Sequence, residues 1–221
     1  MIRRSFARLL GALSVVLVVA GCAKPTPYDY SAFRESRPRS ILVLPPLNSS
    51  PEVAASYGVL SRSTLPLAES GYYVLPVTLV DETFKQNGLA HPAEMHEAPP
   101  AKLREIFGAD AALYMEVTEY GASYKIVQAD IDVALKAKLV DLRSGALLWE
   151  GKARASTAEQ QNQGGGLIGM LISAVVNQII NSASDERTLM IATYANNRLL
   201  AASPQTNGIL YGPYSPRYGT D

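Results

Sequence analysis

The stretch DIDVALKAKLVDLRSGALLWEGKARA, from Asp130 to Ala155, decides the fold. Ile131, Val133, Leu135, Ala137 and Leu139 fall on one side of an extended chain, and Asp130, Asp132, Lys136 and Lys138 on the other. Successive side chains of a strand point to opposite faces, so this pattern predicts a half-buried strand. Asp141-Leu142-Arg143-Ser144-Gly145 supplies turn residues. Leu147, Trp149, Ala153 and Ala155 then carry the apolar face onward, with Glu150, Lys152 and Arg154 opposite. Upstream, Leu113, Met115 and Val117 alternate with Tyr114, Glu116 and Thr118. Ala111 to Ala155 therefore reads as a three-stranded antiparallel meander with one wet face.

Working outward, Ile41-Leu42-Val43-Leu44 is a continuous apolar run closed by Pro45-Pro46, as suits a strand buried on both faces. Ser50 is placed to cap a helix with Pro51 in its first turn, and Val53, Tyr57, Leu60 and Thr64 share one side of it. Pro66 lies inside that pattern, and Gly71 ends it before a second strand at Tyr72-Tyr73-Val74-Leu75. Short helices are expected from Asp81 to Gln86 and, preceded by Pro99-Pro100, through Ile106, the latter stopped by Gly108. Asp185 to Ala202 reads as a C-terminal helix. The expected fold class is α/β: a mixed sheet containing the three-stranded meander, with helices packed mainly on one face.

The first 22 residues are of a different kind. Arg3, Arg4 and Arg8 precede an apolar run from Leu9 to Ala20, and Val19-Ala20-Gly21-Cys22 follows. A charged start, a short apolar core and small residues at the end describe a cleaved targeting segment. The core is too short to span the ~30 Å hydrocarbon layer, which takes ~20 helical residues. Val19 to Cys22 resembles the lipobox of bacterial lipoproteins, and Cys22 is the single cysteine of the chain. That resemblance assigns lipidation to Cys22, which becomes the first mature residue. Ala23 follows where an aspartate would favour the inner membrane in enterobacterial sorting, so the same resemblance implies the outer membrane.

The domain plan is thus a signal peptide over 1–21, a lipidated N-terminus and tether over 22–39, a single α/β domain over 40–202, and a Gly/Pro/Tyr-rich tail over 203–221. Signal removal takes three of the 20 basic residues, leaving a slight acidic excess over the 20 acidic ones. Such a balance gives no electrostatic footprint for nucleic acid. With Cys22 lipidated, no disulfide is available within the chain, and about 200 residues suffice for a hydrophobic core. Tyr211, Tyr214 and Tyr218 in the tail are expected to be irregular and either solvated or used as a docking strip.

Between the meander and the last helix, Gly164-Gly165-Gly166 leads into an apolar segment from Leu167 to Ile180. Fourteen helical residues span ~21 Å at 1.5 Å each, short of a bilayer core. Ser173, Asn177 and Asn181 make a narrow polar stripe. A core helix, a helix that also packs against another subunit, and a helix dipping into the membrane all fit this pattern. The interface candidates are Leu167, Ile168, Leu171, Ile172, Val175, Val176, Ile179 and Ile180.

A search for chemistry finds no catalytic set. The glycine triplet lacks the Gly-Lys-Ser/Thr that a phosphate loop needs. His91 and His96 stand five apart among prolines, not four apart on a helix with a glutamate between, so a surface loop and no metal site is expected. Asp130 and Asp132 lie beside lysines on the wet strand face, where cross-strand ion pairing accounts for them. No cofactor is expected.

Ser36 to Asn48, Leu67 to Val74 and Phe107 to Ala111 together resemble a bacterial lipoprotein family of unknown function, represented by a neisserial surface-antigen candidate. The resemblance runs through the mature chain to about Leu200. Val140 to Gly145 with Leu148-Trp149 is similar to a hairpin in CsgG-type secretion lipoproteins. The resemblance implies a fold like the periplasmic domain of CsgG, the N-terminal domain of TolB, PelC and LpoB, and it brings no catalytic residues. It implies a lipid-anchored, non-enzymatic component of an envelope assembly, partnered by itself or by a CsgG-like lipoprotein. The alternatives are a regulator of a cell-wall synthase, as LpoB is, and a periplasmic ligand-binding module.

Overall fold

Ile41, Leu42, Val43 and Leu44 are all fully buried, because this short strand is covered on both faces. The computed structural model describes residues 28–125, 128–159 and 184–221. Strand β1 (Ser40–Val43) lies between β3 (Tyr73–Val74) and β4 (Ala111–Lys125), parallel to both. β5 (Gln128–Asp141) and β6 (Leu147–Ser156) follow β4 antiparallel, giving the order β3-β1-β4-β5-β6. The two-residue β2 (Leu47–Asn48) pairs parallel with β4 further along it. The result is a six-stranded mixed sheet with the expected antiparallel meander.

The meander forms where the sequence alternates. Val133, Leu135 and Leu139 of β5 and Trp149 of β6 are at most 1% exposed and share one core with Ile41, Val43, Leu113 and Met115. The β5–β6 turn is set by Asp141, whose Oδ1 accepts the backbone N–H groups of Arg143 at 2.7 Å and Ser144 at 2.8 Å. Gly145 takes the positive φ of 75° that closes it. Register shifts between Val117 and Glu119, a β-bulge that leaves Thr118 without an opposite residue. Tyr120 thereby turns onto the core side.

Helix α2 (Ala55–Glu69) and the C-terminal helix α6 (Ser184–Leu200) pack on that core. The buried face of α2 is Ala55, Ser56, Val59, Leu60, Ser63 and Leu67. This corrects the expected face: Val53 is 90% exposed and precedes the helix, and Tyr57 is 47% exposed. Pro66 stays within the helix, near its end, where little remains to be broken. Helices α3 (Val77–Gln86), α4 (Pro92–His96) and α5 (Pro100–Phe107) cover a second, smaller core on the opposite face. That core consists of Leu42, Leu44, Val80, Phe84, Met95, Leu103, Tyr114 and a few neighbours. It covers only the β1 end of the face, so most helical cover lies on one side.

The folded body reaches past the expected 40–202 span at both ends. Helix α1 (Ser31–Ser36) buries Phe33, and Tyr30 is 8% exposed. Ile209 and Leu210 are 0% and 4% exposed. Both segments were hard to see because their apolar residues are too few and too irregularly spaced to show a period.

Candidate functional surfaces

Cys22, the signal segment, the glycine triplet and the interface candidates from Leu167 to Ile180 lie outside the described residues. Three surfaces of the described body are candidates.

The first is a clasp at the N-terminal side. The Tyr28 hydroxyl accepts the Glu150 backbone N–H of β6 at 3.2 Å, and the Tyr28 N–H donates to the Asn207 side-chain oxygen at 3.2 Å. Trp149 Nε1 donates to the Asn207 carbonyl at 3.0 Å, and the Tyr30 hydroxyl donates to the Gly208 carbonyl. Tyr72 donates to the Leu210 carbonyl at 2.7 Å. Burial pushes the Tyr72 hydroxyl far above the ordinary tyrosine value, so it stays a neutral donor. Gly212 and Gly71 are both required by close approach: a Cβ on Gly212 would stand 2.2 Å from the Gly71 carbonyl oxygen, and one on Gly71 would stand 2.3 Å from the Ser215 nitrogen. The C-terminal segment, foreseen as irregular, is irregular and packed; it holds the N-terminal segment against β6.

The second surface is a groove of about 870 Å³ beside the β4–β5 hairpin. Val53, Tyr57, Tyr120, Ile131 and Leu189 line it, with Glu52 and Asp185 at its rim. Of the described residues that bracket 160–183, Glu159 lies shortly after the end of β6 at Ser156 and Ser184 starts α6. Asp185 and Leu189 place the groove beside the second of these.

The third surface is the uncovered part of the outer sheet face. Register sets Tyr114, Lys138 and Glu150 in one cross-strand row, and Glu116, Lys136 and Lys152 in the next. They line a basin of about 680 Å³ whose wall includes Leu47 and His96. Lys136 Nζ lies 3.6 Å from a Glu116 carboxylate oxygen, and Lys138 Nζ sits 5.0 Å from the Tyr114 ring centroid. His96 Nε2 bonds the Pro45 carbonyl at 2.9 Å, and its ring meets Tyr114 edge-on at 5.3 Å between centroids. Burial first, and the nearby Lys138 charge second, pull His96 below the ordinary imidazole value against the opposing Pro45 bond. This corrects the surface-loop reading of His96: it ends a helix and packs inward. His91 instead starts that helix, in a capping box with Glu94. Among the described residues no group of three or more His, Cys, Asp or Glu is placed to hold a metal, and no helix is long and apolar enough to cross a membrane.

Further along this face, Asp130 and Asp132 differ from expectation in being buried, at 6% and 3% exposure. Arg154 reaches Asp132 at 3.0 Å and Glu119 at 3.0 Å, so the pairing is cross-strand as expected but with arginine. The basin was visible in the sequence only as three lysines on a wet face. What gathers them is register, together with a helical cover that stops at Tyr114.

A family model described as "Putative lipoprotein GNA1162-like" matches residues 28–214. The chain is 49% identical over 208 residues to "Putative lipoprotein NMB1124/NMB1162" of Neisseria meningitidis serogroup B, covering 93% of this chain and 95% of that one. The crystal structure of lipoprotein GNA1162 from Neisseria meningitidis is 52% identical, with a TM-score of 0.53 over 66% of this chain and 100% of that one. A PelC dodecamer from Paraburkholderia phytofirmans is similar at 14% identity and a TM-score of 0.43, over 76% of this chain and 91% of that one.

Proposed function

This chain belongs to the GNA1162-like lipoprotein family, and from that premise we propose that it is an outer-membrane lipoprotein, anchored through Cys22, that serves as a non-enzymatic assembly or accessory component of a CsgG-like envelope transport system. A lipoprotein family implies lipid anchoring. The observation that carries the rest is the pairing of a lipobox-like sequence with a body whose described residues offer surfaces and no metal-holding cluster. In this reading the domain faces the periplasm. It associates with further copies of itself, or with a CsgG-like lipoprotein, through Leu167, Ile168, Leu171, Ile172, Val175, Val176, Ile179 and Ile180.

The mounting of the N-terminus bears on the choice of partner. Tyr28 is already bonded to the body, so a tether from Cys22 can be no longer than the chain from Cys22 to Tyr28. Six residue steps reach ~21 Å at ~3.5 Å each. A regulator that must cross the periplasm to a cell-wall synthase needs far more, which favours work close to the membrane that holds the anchor.

Mass spectrometry of protein extracted from cell membranes tests the anchor: the expected N-terminus is Cys22 carrying a diacylglycerol and an acyl chain. Recovery of a free Cys22 thiol in the soluble fraction would remove it. Crosslinking in intact cells followed by sizing of the purified chain tests the assembly role. A mature protein that remains monomeric at high concentration and crosslinks to no envelope lipoprotein sinks that part of the reading.

A further inference from the structure

We propose that the basin on the outer sheet face is a binding site for a small ligand bearing an oxyanion, a carboxylate or a phosphate group. This stands apart from anchoring and assembly and rests on the described residues alone.

Lys136 of β5 is directly opposite Lys152 of β6. Like charges in that relation destabilise a sheet, and an acid at either position would form an ordinary cross-strand pair. Lys136 leans toward Glu116. Lys152 is exposed and forms no ion pair among the described residues. Two lysines directly opposite in register are a cost to the fold and an asset to a site, since both line the basin and one oxyanion can accept hydrogen bonds from both. A third cation, Lys138, is held at the margin by the Tyr114 ring.

The surroundings fit a ligand rather than bare solvent. Tyr114, 7% exposed, is the point where the covered part of the face gives way to the open part. Leu47 and His96 wall the basin on that side. Its volume of about 680 Å³ lies within the ~300–1,000 Å³ usual for small-molecule sites. Three lysines against Glu116 and Glu150, with His96 held neutral, leave one net positive charge for the ligand to meet. His96 donates from Nε2 to Pro45, so its Nδ1 is an acceptor, suited to a donor group on the rest of the ligand.

The test uses the unlipidated mature chain with Cys22→Ser, at constant ionic strength in chloride. It is titrated separately with inorganic phosphate and with succinate, and followed by the imidazole NMR signals of His96 and by melting temperature. The expected result is a saturable response to at least one probe, with His96 titrating at higher pH when the anion is present. Phosphate alone or succinate alone identifies the group. Lys152→Met weakens the response about tenfold or more, as loss of a charge-assisted bond predicts. Lys152→Glu abolishes it and raises the melting temperature of the free protein, because the opposed charges become a pair. No saturable response to either probe, or a response unchanged in both variants, overturns the site. A Lys152→Glu protein that melts lower than its parent overturns it too, since Lys152 would then serve the sheet.

Discussion

The two faces of β5 share one backbone and obey different rules. On the inner face, Val133, Leu135 and Leu139 are packed under α2 and α6 with almost no exposure. On the outer face, one residue away from Leu135 and Leu139, Lys136 and Lys138 stand over an open basin. The inner face is specified by volume and burial, where every methylene counts. The outer face is specified by charge and register, where a side chain can be exchanged at little cost to the fold but at full cost to whatever the face binds. The difference teaches where to look for constraint: size on one side, sign of charge on the other.

The largest effect is expected on the inner face. Trp149→Ala empties a site 1% exposed and also leaves the Asn207 carbonyl without its indole donor. It should cost about 3–5 kcal/mol in chemical denaturation. A loss below about 1 kcal/mol would erase the contrast between the faces.

Gly71→Ala asks whether the C-terminal clasp belongs with the inner face. Its φ of +95° and the 2.3 Å approach of the Ser215 nitrogen leave no room for a methyl group. A destabilisation of about 1–3 kcal/mol is expected, with faster proteolysis after Leu200 as a second readout. Arg154→Met tests a place where the outer face buries a charge. The Asp132 carboxyl, with 4% of its side chain exposed, would lose the partner at 3.0 Å. The cost should be about 1–3 kcal/mol, read from the shift in denaturation midpoint.

His96 sharpens the comparison through pH. Its folded value is depressed, so the unfolded chain takes up a proton that the folded site refuses. Stability is full above the unfolded value of about 6.5 and declines as pH falls from there toward the folded value. The parent should lose stability as pH falls below the unfolded value of about 6.5, and His96→Gln should flatten that part of the profile. Asp141 acts lower down. Burial opposes its ionisation, but hydrogen bonds from Ser36, Ser144 and Arg143 outweigh it and lower its value. That contribution is therefore lost only as pH falls below the carboxylate range. The smallest effect belongs to Lys136→Ala, whose side chain is 61% exposed and whose partner is 3.6 Å away. It should change stability by less than about 0.5 kcal/mol.

The alternation from Asp130 to Ala155 is legible because a strand with one wet face writes its period into the chain. The buried run at Ile41 is legible because no polar residue survives where both faces are covered. The basin is not legible in that way. Lys136 and Lys152 are 16 positions apart, and only the pairing of β5 with β6 makes them opposite. The clasp was hidden for a similar reason: Tyr28 and Asn207 meet across 179 positions, and a run of Gly, Pro and Tyr gives no period to follow. His96 read as a loop residue because prolines surround it. In the fold one of those prolines starts a helix, and Pro45 accepts its ring N–H.

The clasp also has a bearing on how the body would respond to tension. Load applied through an anchor at Cys22 would enter at Tyr28 and Tyr30, and the residues that receive it are Asn207 and Gly208. These follow every strand of the described sheet in chain order. The sheet can assemble earlier in synthesis, but its mooring waits for Asn207 and Gly208. A chain cut short before Asn207 would keep most of its architecture and lose the mount by which the membrane holds it.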